Sequence, residues 1–170
     1  MRERFVLAPD ADRARRRAEA TFAELVPLLR AILPSEAEIH HIGATSIAGC
    51  LTKGDLDIIV RLPAEAFGTA ERALAERFDP NIGTIRTADF ASFKDDDRDP
   101  QLGILLTAFG SDYDFFLDFH RALVTDQAAV AAYNALKARC DGGDMDDYRE
   151  EKGRFIRAVI ASRGNAGASE

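Results

Sequence analysis

His41 to Arg61 reads HIGATSIAGCLTKGDLDIIVR, and this stretch decides the fold. It closes on Asp55-Leu56-Asp57-Ile58-Ile59-Val60, a β-branched run with two acids near its start. Side chains alternate faces along a strand, so Asp55 and Asp57 share one face while Leu56, Ile58 and Val60 point the other way, into a core. Strand interiors disfavour aspartate, which makes Asp57 the more informative acid; Asp55 alone also reads as a turn residue ahead of a strand. The stretch opens from a short strand at 38–42 into a turn at Gly43-Ala44, followed by hydroxyls at Thr45 and Ser46. A phosphate needs an open backbone turn with donors. A divalent cation such as Mg²⁺ needs one or two protein carboxylates plus substrate phosphate oxygens. Lys53 adds a positive charge between the two halves.

Upstream, Asp10 is placed to cap a helix running to about Ile32, with Ala18, Phe22, Leu25, Val26, Leu29 and Leu33 at helical spacing. Pro27 lies inside that pattern and is expected to end or kink the helix near Leu25. Arg13, Arg15, Arg16 and Arg17 read as a solvated helix face in preference to a phosphate site. A short helix is expected to open at 46–49, where free N–H groups could hold an anion. Downstream, the strand at 56–62 ends at Pro63, and a helix follows over 64–78. Residues 84–87 and 90–93 read as strand material, and KDDDRDP at 94–100 as a turn between antiparallel strands. An apolar strand follows at 102–109. Three helices close the chain, over 113–123, from 126 to about 140 with Thr125 as N-cap, and over 146–162.

The order predicts an α+β fold: a small mixed or antiparallel sheet backed by helices, with C-terminal helices. Residues 1–162 read as one domain and 163–170 as a disordered tail. A net charge of −7 argues against nonspecific nucleic-acid binding, which relies on a basic surface. The two cysteines, Cys50 and Cys140, form no CxxC pair, so a cysteine-type zinc site is not expected and a reducing cytoplasm is the simpler compartment. No signal peptide and no membrane span are visible.

The spacing of Ile42-Gly43-Ala44 and Asp55-Leu56-Asp57-Ile58 resembles the nucleotidyltransferase superfamily typified by DNA polymerase beta and kanamycin nucleotidyltransferase. Ala44 stands where that pattern has Gly or Ser. More closely, the chain resembles the GrpB family, also called UPF0157, a branch of the superfamily. His41-Ile42-Gly43-Ala44-Thr45-Ser46-Ile47-Ala48-Gly49 is similar to the family's HIGSTSVPG, with Ala48 in place of Pro. The similarity continues through Phe119 to Leu123, Tyr133 to Lys137, and Tyr148 to Ile156. Lys53-Gly54-Asp55 departs from the family's Lys-Pro-Ile, and neither histidine of its His-Leu-His strand is present. The family count from Lys53 puts its first acid on Asp57; the superfamily count takes Asp55 and Asp57, leaving two acids on one face.

The resemblance implies a metal-dependent nucleotidyltransferase. Asp55 and Asp57 would be catalytic and hold Mg²⁺. Gly43, Ala44, Thr45, Ser46 and Lys53 would hold the triphosphate of an NTP or another small phosphorylated ligand, with Lys137, Tyr148 and Lys152 lining the pocket. The superfamily's third carboxylate is expected on a neighbouring strand, but 102–109 contains no acid; Asp89, Asp112 and Asp114 are the nearest candidates. That gap supports the alternative, a noncatalytic module that binds a nucleotide or a partner protein. Fusion of relatives to dephospho-CoA kinase suits either role, and a toxin–antitoxin role is a weaker third reading. No membrane partner is expected.

Overall fold

The computed structural model describes residues 2–166. Its elements are α1 (Ala11–Ile32), β1 (Glu38–Ile42), β2 (Leu56–Leu62), α2 (Phe67–Ala75), β3 (Asp79–Pro80), β4 (Phe90–Asp95), β5 (Leu102–Ala108), α3 (Phe116–Thr125), α4 (Gln127–Cys140) and α5 (Met145–Ala166). The strands form one mixed sheet in the order β1-β2-β5-β4-β3. β2 runs antiparallel to β1 and parallel to β5, while β4 is antiparallel to both β5 and β3.

The alternation in β2 sorts its side chains as expected. Leu56, Ile58, Val60 and Leu62 bury against α1 and α2, in one core with Leu25, Leu29, Phe67 and Leu74. The opposite face is also covered, because Ile59 packs with Ile42 and with Leu117 of α3. That second face is polar at both ends, with Asp57 at its start and Arg61, bonded to Asp114 and Glu38, near its end. Beside it, α3, α4 and α5 pack together through Phe119, Tyr133 and Phe155. The N-terminal segment ties to this helical part: Phe5 N–H donates to Gly143 O at 3.0 Å, and the Phe5 ring stacks on Tyr148 at 3.7 Å.

Several boundaries differ from those the sequence predicts. α1 runs through Pro27 to Ile32 instead of ending near Leu25. The proline ring crowds the carbonyl of Ala23, but both residues are exposed, so the defect faces water while buried Leu25, Leu29 and Leu33 anchor the helix on both sides of it. The turn after Gly43 is a single helical turn at Ala44–Ser46, not a helix at 46–49. α2 covers only Phe67–Ala75 and follows a separate turn at Ala64–Ala66.

Residues 84–87 form no strand. The outer edge of β4 pairs instead with Asp79–Pro80, continued by Asn81 N–H to Ser92 O at 2.8 Å. α3 starts at Phe116, later than predicted. Asp126, not Thr125, caps α4: its carboxylate accepts from Ala128 and Ala129 N–H, while the Thr125 hydroxyl donates back to Arg121 O in α3. α5 reaches Ala166, past residue 163 where the tail was placed, and residues 167–170 lie outside the described residues. Among the described residues no helix is long and apolar enough to cross a membrane.

Candidate functional site

Asp57 sits where the sheet register puts it between β1 and β5, paired with Ile42 on one side and Gly103 on the other. Its carboxylate is flanked by two glycines. A Cβ on Gly43 would lie 2.5 Å from Asp57 Oδ2, and one on Gly103 would lie 3.0 Å from Oδ1. Gly43 also has φ 76° and ψ −178°, a backbone region that side-chain-bearing residues essentially do not occupy. Burial pushes the Asp57 carboxyl above the usual carboxylate range; the charge of Lys152 opposes the rise, nearby Asp55 adds to it, and Lys53 and Lys137 oppose it further.

The hydroxyls of the turn are committed to the protein. Thr45 is buried and donates its one proton to Asp55 O at 2.8 Å, which ties the turn to the start of β2. The 3.0 Å contact from His41 Nε2 to Thr45 Oγ1 must then be donated by the imidazole, so His41 carries its proton on Nε2. Burial pushes His41 down to about 4, which keeps the ring neutral near pH 7. By the same count, Ser46 donates to Gly43 O at 2.6 Å and accepts from His120 Nδ1 at 3.0 Å. Thr45, read from sequence as a phosphate ligand, therefore has no proton left for one; it and Ser46 shape the turn. His120 joins the site by this contact.

Lys53 pairs with Asp55 at 2.9 Å. Lys137, predicted to bind phosphate, is 1% exposed and donates to Leu51 O at 2.5 Å. Tyr148 is buried on Phe5, with its hydroxyl 3.4 Å from that of Tyr133. Lys152, one turn further along α5, enters no ion pair among the described residues. The candidate third acids lie elsewhere: Asp114 is held by Arg61 and Gly110 N–H, Asp89 by Thr87, and Asp112 is exposed. The strand position beside Asp57 that could have supplied a carboxylate is Gly103. Among the described residues no group of three or more His, Cys, Asp or Glu side chains is arranged to hold a metal ion.

Three cavities meet at Asp57. The first, about 520 Å³, is an aromatic cleft walled by Phe90, Tyr113, Phe115 and Phe116, with Gly43 and Lys152 also in its lining. Phe90 stacks on Tyr113 at 4.7 Å, and Phe115 on Phe116 at 4.4 Å. The second, about 400 Å³, is polar and is lined by Lys53, Asp55, Lys94, Asp96, Gln101 and Arg149 among others. The third is a small void of about 60 Å³ among Ala44, Tyr133, Lys137, Tyr148 and Lys152. It is the place where Lys137, Tyr148 and Lys152 come together beside Asp57, as the sequence grouped them. The sequence predicts 113–116 as the start of a helix and gives no motif for the aromatic cleft; the density of rings in Tyr113-Asp114-Phe115-Phe116 is its one signal.

This sheet and turn define a nucleotidyltransferase-type fold. The poly(U) polymerase Cid1, solved with Mg 3′-dATP bound, superposes with a TM-score of 0.51 at 15% identity, over 74% of this chain and 39% of that one. A MgGTP-bound Cid1 structure gives 0.50 at 17% identity, with 40% of that chain covered. At such identity the likeness is one of fold, and it spans about two-fifths of Cid1. The chain belongs to the GrpB family: the family model described as GrpB protein matches residues 12–162. A UPF0157 protein of Vibrio cholerae serotype O1 is 32% identical over 133 residues, covering 78% of this chain and 70% of that one. The conserved protein GrpB from Enterococcus faecalis superposes with a TM-score of 0.68 at 17% identity, over 86% of this chain and 94% of that one.

Proposed function

We propose that the protein binds a nucleoside triphosphate, with its base in the aromatic cleft and its phosphates between the Gly43 turn and Lys152. The supporting observation is the meeting of an aromatic cleft and a charged cavity at one buried carboxylate, Asp57. Stacking on aromatic side chains contributes about 1–3 kcal/mol per base, and a cleft with several rings suits a base face. The phosphate end would meet Lys152 and the bare backbone of Gly43.

Asp55 and Asp57 line the same polar cavity, and that donor set fits one Mg²⁺ that takes its remaining ligands from substrate phosphates and water. Such an ion, when bound, neutralises phosphate charge. A two-ion arrangement does not fit, because Gly103 occupies the neighbouring strand position and offers no carboxylate. The chain's own groups then divide as follows: the glycines leave room for the carboxylate, Thr45 and His41 hold the turn against β2, and Lys152 balances negative charge. Binding without transfer is the reading this geometry favours. Nucleotidyl transfer to an acceptor is the second reading, favoured by the polar cavity, where an acceptor hydroxyl or amine would face Asp57 from the side away from the rings.

Calorimetry with a panel of NTPs, with and without Mg²⁺, tests both. We expect saturable binding in Mg²⁺ that weakens at least tenfold in the Asp55→Asn/Asp57→Asn variant. Unchanged affinity in that variant would sink the metal site, and no binding of any NTP would sink both readings.

A further inference from the structure

We propose that Cys50 and Lys137 form an oxidative cross-link, a sulfenamide bond between Sγ and Nζ, when the protein meets hydrogen peroxide. The two groups are already in contact: Lys137 Nζ lies 3.2 Å from Cys50 Sγ, and both residues are buried, at 1% and 3% exposure. The amine cannot swing away freely, because it donates to Leu51 O at 2.5 Å and sits over the Tyr133 ring at 3.6 Å. Cys50 is fixed in turn by its N–H, which donates to Ile47 O at 3.2 Å. The nucleotide site described above uses neither the thiol nor its contact with the lysine.

Reactivity follows from the pairing. A buried thiol alone is usually inert, but here an amine able to take its proton lies 3.2 Å away. Burial pushes the Lys137 amine down to about 8, with the Cys50 charge opposing, so the lysine can both accept and release a proton near neutral pH. The void of about 60 Å³ lined by Lys137 exceeds the roughly 10–15 Å³ that a water-sized molecule needs. A peroxide molecule there would lie against Lys137, whose amine touches the Cys50 thiol. Cys140, the other cysteine, is free and packs in a different apolar cluster, with Phe5 and Met145.

The chemistry balances with one peroxide. Cys50 passes its proton to the Lys137 amine, and the thiolate attacks one peroxide oxygen. The O–O bond breaks, leaving a sulfenic acid on Sγ and a hydroxide, which takes a proton from the Lys137 ammonium and departs as water. The freed amine attacks sulfur, the S–O bond breaks, and that oxygen leaves as a second water with a proton from nitrogen. Sulfur is oxidised by two electrons and peroxide is reduced to two waters. The bond would fix the segment between the Gly43 turn and β2 and remove the Lys137 charge that acts on Asp57. An effect on nucleotide affinity rests on the proposed function; the cross-link itself does not.

The test is intact-mass and peptide-map spectrometry of the full chain, with and without hydrogen peroxide. The expected result is a loss of two hydrogens, reversed by dithiothreitol, with the Cys50 and Lys137 peptides joined. The product should persist in Cys140→Ser and vanish in Lys137→Arg. Because Lys137→Arg alters a buried position, Cys140→Ser and the peptide map carry the decision. A Cys140→Ser protein that only gains oxygen, a joined product that keeps an oxygen atom, or a mass loss that disappears with Cys140 would each overturn the proposal.

Discussion

Replacing Gly43 with alanine probes the join between the turn and the strand. At φ 76° and ψ −178° a side-chain-bearing residue carries about 1–3 kcal/mol of backbone strain. The new Cβ would also lie 2.5 Å from Asp57 Oδ2, inside any tolerable contact, and overpacking of this kind costs roughly 1–3 kcal/mol. Together these predict a loss of about 2–6 kcal/mol. For a chain of this size that lowers Tm by roughly 4–24 °C. Gly103→Ala is the internal control. Its backbone is ordinary and its Cβ would meet Asp57 Oδ1 at 3.0 Å, so the carboxylate must yield slightly while the fold does not. We expect its Tm to fall far less, with the damage appearing in ligand affinity. Circular dichroism melts and urea titrations of the two variants measure this directly. A Gly43→Ala protein as stable as wild type, or a Gly103→Ala protein equally damaged, would refute the assignment of strain to the turn.

Lys137 predicts a pH dependence of stability. Its folded pKa of about 8 lies below its ordinary 10.5, so between those values the unfolded chain binds a proton that the folded one does not. Stability should rise with pH across that window, by at most about 3 kcal/mol, and this rise should be missing in Lys137→Met; identical pH profiles by urea unfolding would contradict it. His41 should remain neutral with its proton on Nε2 well below pH 6, and an NMR titration with a midpoint near 6.5 would break the proton count at Thr45. Asp126→Ala should cost about 1 kcal/mol as a lost helix cap, and Thr125→Ala clearly less; equal losses in chemical denaturation would return the cap to Thr125.

The parts legible in the sequence are those with local causes. β2 announced itself through alternation and a β-branched run, the Gly43 turn through its spacing to Asp57, and the hairpin at 94–100 through its polar composition. What escaped depends on partners distant in the chain. Pro27 looked like a helix breaker until the exposed position of its ring was known. Ile85 resembled a strand residue within 84–87, yet Asp79–Pro80 holds the edge of β4 and Ile85 stays exposed. The roles of Lys137 and Thr45 were invisible because their hydrogen-bond acceptors, Leu51 O and Asp55 O, are set by tertiary packing. Gly103 carried no signal either, since only the register of β2 against β5 reveals that it stands beside Asp57 in place of a third acid. The aromatic cleft, gathered from β4, the 113–116 segment and α3, has no motif at all.

A crystal structure of the full chain with Mn²⁺ and a non-hydrolysable NTP tests the central claim most directly, because the ion can be located by its anomalous signal. One Mn²⁺ peak bound to Asp57 and Asp55 is expected, with no second ion toward Gly103 and with the base among Tyr113, Phe115 and Phe116. A peak away from Asp57, or a base lodged in the polar cavity, would contradict it.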